Sequence, residues 1–380
     1  MLRIATIVFI FALFLIACSE EPATFTVDVK DNVRFVHSMS PKSKDRASIS
    51  IEFRQKIGDL ESPDENLLFY MIGTVVRDSK GCIYILDSNN YRIQKFSPDG
   101  KFMQSIGRKG QGPGELDTAW SMDVDKNDII YAADFGNMRI QRFTSDGREK
   151  GSIKTENLTT NIEFMSDGSF VTNTNMSYLM GIKKDENISG PILSLKFDSE
   201  ENFLNGIGGG ITNNERSIQQ RMNTNTFCVD ENDNVYICFW YENRIDKYSP
   251  DGELVMQITR DLDYPVEYRD RVEKREMPDG STYDYKTADF NNVSTKGIAV
   301  DHLERIWVPT YVRQLDEGES ATQDPPPVDL VELEVYDHKG ILLCRIPTDF
   351  YFKRFRIFDD MIYFIDHTNK CCVYEYKILN

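Results

Sequence analysis

Histidine is scarce in this sequence. His37, His302, His338 and His367 are the whole complement in 380 residues, which leaves little material for a His-rich metal centre. Basic residues are outnumbered, 44 Lys and Arg against 61 Asp and Glu, for a net charge of −17. Nucleic-acid affinity rests on cations that neutralise phosphates, so nucleic acid is excluded as a partner. Beyond the N-terminus no apolar run reaches the roughly 20 residues that span a bilayer. Paired CxxC motifs are absent, as are GxSxG, HExxH and P-loop signatures, so no zinc ribbon, serine-hydrolase elbow or nucleotide cradle is announced. The seven cysteines form no dense framework. In a chain long enough to bury its own core they read mainly as buried free thiols.

The first 17 residues carry one charge, Arg3, before an apolar run from Ile4 to Ala17. A short apolar run behind a positive residue is the layout of a secretory signal. It ends Leu15-Ile16-Ala17-Cys18, which resembles a bacterial lipobox. That resemblance implies cleavage before Cys18, lipidation of Cys18 and a membrane partner reached through the lipid. Ser19, Glu20 and Glu21 follow, and acidic residues there resemble the surface-export signal of Bacteroidetes lipoproteins. The expected organisation is a signal peptide over 1–17, a lipidated cysteine and tether over 18–47, and a folded domain over 48–380. The expected location is the bacterial outer membrane, facing outward.

The folded part is repetitive. Tyr84-Ile85-Leu86-Asp87 leads to Arg92-Ile93-Gln94-Lys95-Phe96 and Ser97-Pro98-Asp99-Gly100. Tyr131-Ala132-Ala133-Asp134 leads in the same way to Arg139-Ile140-Gln141-Arg142-Phe143 and Thr144-Ser145-Asp146-Gly147. Tyr236-Ile237-Cys238 leads to Arg244-Ile245-Asp246-Lys247-Tyr248 and Ser249-Pro250-Asp251-Gly252. Short alternating strands, Asp-Gly turns and a period of about 40–50 residues are the marks of propeller blades. Fainter copies begin near Ile162 and Gly297. The last copy, from Phe355, lacks a fourth strand, which the alternating Ile49, Ile51 and Phe53 upstream can supply. The expected fold is all-β: a six-bladed β-propeller whose N-terminal strand closes the last blade and covers its edge.

Asp87 to Phe96 and Asp134 to Phe143 resemble the NHL repeat core, and Gly107 to Leu116 resembles the Gly-rich bridge between NHL blades. With the lipobox, the whole resembles the six-bladed propeller lipoproteins of Bacteroidetes. The resemblance is sharp over 75–150 and 225–260. It implies architecture more than chemistry.

Sorted by propeller topology, the turns between the first two strands of each blade, and between the last two, are short. The long segments 108–118, 174–191, 208–223, 262–294 and 311–329 all belong to the opposite, top face. Long loops on a rigid scaffold favour binding. The residues expected to serve a ligand there are Trp120, Trp240, Tyr241, Arg313 and His367. Arg92, Arg139 and Arg244 are either clamps between blades or a polar rim for a carboxylate or sugar. Asp123, Asp125, Asn127 and Asp134 match a calcium loop only loosely, because Asp128 stands where glycine is needed. Equivalent turns repeat the pattern, so turn chemistry is favoured over a metal. The expectation is a binding module for a glycan, peptide or protein, with no cofactor and no metal. The alternative is a lactonase- or lyase-type enzyme with its site in the axial top pocket.

Overall fold

A computed structural model of the chain describes residues 24–41, 49–155, 161–173, 191–200, 202–266, 268–277, 279–290, 293–316, 318–319, 327, 329–350, 352–367 and 370–380. Cys18 and residues 174–190 lie outside them. A hairpin, β1 (Phe25–Lys30) and β2 (Val33–Ser38), comes first, then β3 (Ser50–Ile57). Blade I is β4 (Ile72–Arg77), β5 (Ile83–Asp87), β6 (Arg92–Phe96) and β7 (Phe102–Ile106). Blade II is β8 (Ala119–Val124), β9 (Ile130–Asp134), β10 (Arg139–Phe143) and β11 (Glu149–Lys154). Blade III is β12 (Ile162–Phe164), β13 (Phe170–Asn173), β14 (Ser194–Phe197) and β15 (Phe203–Ile207). Helix α1 (Arg216–Met222) precedes blade IV, which is β16 (Asn225–Val229), β17 (Val235–Phe239), β18 (Ile245–Tyr248) and β19 (Leu254–Arg260). A second hairpin follows, β20 (Tyr268–Glu276) and β21 (Thr282–Phe290). Blade V is β22 (Ala299–Val300), β23 (Ile306–Tyr311), β24 (Val331–Tyr336) and β25 (Leu342–Pro347). Blade VI has β26 (Arg354–Phe358), β27 (Met361–Asp366) and β28 (Cys372–Leu379). Its fourth strand is β3, antiparallel to β28 from Ile57↔Val373 to Ser50↔Leu379. The six-bladed ring and its closure by the N-terminal strand are as the sequence implies.

The core lies between blades rather than inside one. Tyr84, Leu86 and Ile93 of blade I pack with Met122, Ile130 and Phe143 of blade II. Tyr236, Ile245 and Met256 of blade IV pack with Ile306, Val308 and Tyr336 of blade V. Each sheet is apolar on both faces, so only stacking against two neighbours removes that surface from water. All six described cysteines are free and buried.

The stretch expected as tether contains structure. β1 and β2 pair through an Asp31–Asn32 turn, where φ is 51° and 65°. Two consecutive left-handed residues make the turn type that matches strand twist, and Asp and Asn tolerate it. β2 then runs parallel to β19 from Arg34↔Met256 to Ser38↔Arg260, so blade IV becomes a six-stranded sheet. Val36 is buried against Met256 and Ile258.

The first turns of the blades are built alike. Asp78, Asp125, Asp230 and Asp301 each accept N–H bonds from residues two and four further on, such as Lys80 at 3.0 Å and Cys82 at 2.8 Å. Carboxylates that cap their own turn explain the repeated Asp pattern. Asp134 sits at the other end of its blade, bonded to Asp117 N–H and Asn137, so the loosely matched calcium residues do not converge.

These turns also touch one another around the axis. Ser79 donates to Asp128, Lys126 to the Ser166 carbonyl, Ser166 to Asp233, Asn232 to Glu304 and His302 to the Asp359 carbonyl, and Arg77 pairs with Asp359 at 3.7 Å. The six contacts join blades I–II, II–III, III–IV, IV–V, V–VI and VI–I, a closed girdle on the bottom face.

Candidate functional site

The axis has two mouths. The bottom mouth, inside the girdle, opens on a cavity of about 560 Å³ lined by residues of all six blades. At its floor Arg356 of β26 makes a two-armed ion pair with Glu163 of β12 and lies 3.7 Å from Asp123 of β8. Asp123 also accepts the Phe164 N–H at 2.8 Å. Burial raises the pKa of both carboxyls above the usual carboxylate range, and Glu163 is pushed up to about 7, with Asp123 adding to burial and Arg356 opposing it. Two convergent carboxyls are thus present on the axis, at the opposite mouth from the one expected. Burial also raises the Cys228 thiol at the cavity wall.

The top mouth is different chemically. Arg354, two residues before Arg356 on the same strand, donates to the carbonyls of Gly73 at 2.9 Å and Trp120 at 3.4 Å. Lys353 stands beside it. Lys296, just before β22, holds its ammonium 5.7 Å from the Trp240 ring and 5.5 Å from the Tyr311 ring. Among the described residues, none of these three cations has a carboxylate within ion-pair distance. Burial lowers the pKa of all three; Arg354 and Lys296 then press further on Lys353, and Arg356 on Arg354. Lys353 is itself solvent-exposed. Sequence reasoning did not find this group. Its members come from separate blades, and no spacing announces them.

Trp120, Trp240 and Tyr241 are half-buried at this mouth. The Trp240 indole N–H donates to Thr226 at 2.9 Å, and Arg221 of α1 stacks 5.3 Å from the Tyr241 ring. His367 is buried, with Nδ1 2.6 Å from the Ile72 carbonyl. Burial depresses its pKa, and Lys353 and Arg354 add to that. The two nearby insertions are tied together, since Lys286 of β21 pairs with Glu215 ahead of α1 at 3.0 Å.

A sequence profile described as a domain of unknown function, DUF4934, matches residues 59–293. The chain belongs to the DUF4934 family. The match runs from ahead of blade I to beyond β21, so four of the six blades of this DUF4934 chain fall within it. No curated protein matches it. Among solved structures, a Bacteroides fragilis protein described as exported aligns at TM-score 0.55 and 15% identity, over 91% of this chain and 99% of that one. A member of the DUF4221 family from Bacteroides vulgatus aligns at TM-score 0.55 and 12% identity, over 88% and 99%. A catalytically inactive virginiamycin B lyase from Staphylococcus aureus aligns at TM-score 0.47 and 11% identity, over 84% and 83%.

The remaining sequence-nominated residues of the DUF4934 chain lie on the top rim with their donors engaged. Arg92 bonds Asp87 and the carbonyls of Glu65 and Leu68. Arg139 bonds Asp134 and the carbonyls of Gln111, Gly112 and Glu115. Arg244 bonds Asp246 and the Gly209 carbonyl. Each guanidinium fastens the incoming link between blades to the strand that follows, which is the clamp among the two roles considered. The Gly-rich bridge is fastened this way. Gly110 has φ 154°, and a Cβ there would meet the Glu115 carboxylate at 2.0 Å. Arg313 is taken up by Glu319 at 2.6 Å and Asp329 at 2.9 Å.

Proposed function

We propose that the chain is an exported, lipid-anchored binding protein whose top mouth captures a ligand without transforming it. The observation that carries this reading is the convergence at one mouth of half-buried aromatic rings (Trp120, Trp240, Tyr241 and Tyr311) with three cations that no described carboxylate neutralises. Aromatic plates beside unspent polar groups on a rigid frame suit ligand capture. Residues Arg92, Arg139, Arg244 and Arg313 support the frame rather than the ligand, since their hydrogen bonds are engaged. The anchoring part of the reading rests on the lipobox-like run ending at Cys18 and is tested by Cys18→Ala. Loss of palmitate labelling and release into the soluble fraction are expected; a variant that stays membrane-bound and labelled overturns it.

Capture is tested by comparing the two faces. Once a ligand is found by screening saccharides and peptides, Trp240→Ala should weaken it about fivefold or more, because ring contacts are worth roughly 1 kcal/mol each. Lys339→Ala, in a short bottom turn, should leave affinity unchanged. The reverse pattern sinks the proposal.

An enzymatic reading has one specific support, the Asp123 and Glu163 carboxyls in the bottom cavity. Both are engaged with Arg356, and a general acid or base must be free to pass a proton to or from the substrate. Turnover of a lactone or glycoside that Glu163→Gln abolishes would favour this second reading over the first.

A further inference from the structure

We infer that the ligand of the top mouth is an acidic saccharide, its carboxylate or sulfate held by Lys296, Lys353 and Arg354 and its sugar ring lying against Trp240 and Tyr311. The inference rests on the top-face reading above and names its ligand class.

Start from charge. The chain carries a net charge of −17, and several surface cations are ion-paired: Arg108 with Glu115, Lys101 with Asp99 and Arg313 with Glu319. Among the described residues, the axial cations Lys296, Lys353 and Arg354 have no carboxylate within ion-pair distance. Three like charges pressed together and partly withdrawn from water are costly unless an anion joins them. Arg354 is fixed by the carbonyls of Gly73 and Trp120, and Lys296 by the faces of two rings. Two of the three cations, Arg354 and Lys296, are therefore held in position before a ligand arrives, which lowers the ordering cost of binding it.

Ring geometry selects the class. The ammonium of Lys296 stands 5.5–5.7 Å from the centroids of Trp240 and Tyr311, so a ligand that reaches it also meets aromatic surface. A sugar can lay its apolar C–H face on an aromatic plate while an acidic substituent on the same ring reaches the ammonium. An acidic peptide side chain brings the anion but no rigid apolar face, and loses rotamer freedom on docking. The occupant that uses both halves of the mouth is a uronic or sulfated sugar.

The experiment is calorimetric titration of the full chain with trigalacturonate, a sulfated chondroitin disaccharide, neutral maltotriose and a tetraglutamate peptide. At least one acidic sugar should bind and maltotriose should not. Lys353→Met and Lys296→Met should each weaken the acidic sugar roughly tenfold, as expected for loss of a charge-assisted contact. Lys353→Arg should restore most of it, and Lys339→Met should change nothing. Raising salt should weaken binding as the attraction is screened. If neither acidic sugar binds, or maltotriose binds equally well, or only the peptide binds, the ligand class is wrong. Should maltotriose bind and be lost in Trp240→Ala, the top-face reading survives without the acidic class. Binding lost through bottom-turn substitutions alone overturns both.

Discussion

Glu163 of blade III and Arg356 of blade VI meet across the propeller axis, their second contact at 3.1 Å, although 193 residues separate them in sequence. Blades III and VI are opposite members of the ring, so the pair spans the channel. Asp123 of blade II completes a buried group with two acids and one base. Removing one partner of a buried ion pair strands the other charge, at a cost of about 3–5 kcal/mol. Arg356→Ala should therefore lower the chemical denaturation midpoint by a corresponding amount. A variant as stable as the parent would show that Asp123 and Glu163 are neutral without the guanidinium.

The same group makes stability depend on pH in a definite direction. Burial pushes the Glu163 carboxyl up to about 7, from 4.5 for an ordinary glutamate. The folded protein holds this proton where the unfolded chain has released it, so the group's stabilising contribution is full below about pH 4.5. It is lost as pH rises through about 7. Unfolding free energies of the parent and of Glu163→Gln, measured from pH 4.5 to 8, should diverge along that window, the parent losing ground as pH increases. Parallel curves would mean that Glu163 ionises as an ordinary carboxyl.

The N-terminal hairpin belongs to the folded unit. Val36 is 2% exposed, between Met256 and Ile258. Val36→Ala removes two buried methyl groups and leaves a small cavity, a loss of about 2 kcal/mol. A thermal melt several degrees below the parent is expected. If residues 25–38 were a free tether, the melts would superimpose.

Arg139 is a test of the clamps. Its guanidinium is the cation facing the fully buried Asp134 side chain and also holds the Gly112 and Glu115 carbonyls. Arg139→Ala should cost about 3 kcal/mol, mostly from the carboxylate left buried, and should hasten proteolysis within 108–118. Affinity at the top mouth should persist in the folded fraction. A loss of affinity at unchanged stability would move Arg139 from the frame to the ligand.

Much of the frame was legible because blades I, II and IV repeat the same local chemistry: strands of period two, an Asp-capped first turn, an Arg at the start of the third strand and an Asp-Gly hairpin. Ring closure was legible from Ile49, Ile51 and Phe53, an unpaired alternating run upstream of a blade that lacked a strand. The β1–β2 hairpin had the same kind of signal, Phe25, Val27 and Val29 alternating before Asp31-Asn32. The expectation of a tether after the lipobox-like run hides it. The cation cluster left no signal. Lys296 and Lys353 approach only because blades V and VI are neighbours, and Arg354 meets Gly73 only because the ring closes. Proximity created by closure has no period in the sequence. The cavity between the first turns was hidden for the same reason, and it opens on the face where little was expected.

The girdle on the bottom face changes what loop length means in this protein. Six short turns form a circle in which each blade is bonded to both its neighbours. One extra residue in any turn would unfasten two joints together, whereas the top links have no such circle to keep. Growth of the chain is therefore channelled upward by mechanics, before any ligand has a say. The crowding of insertions on the top face is what a propeller with a belted waist permits, so evidence for binding must come from the chemistry gathered at the mouth and not from loop length.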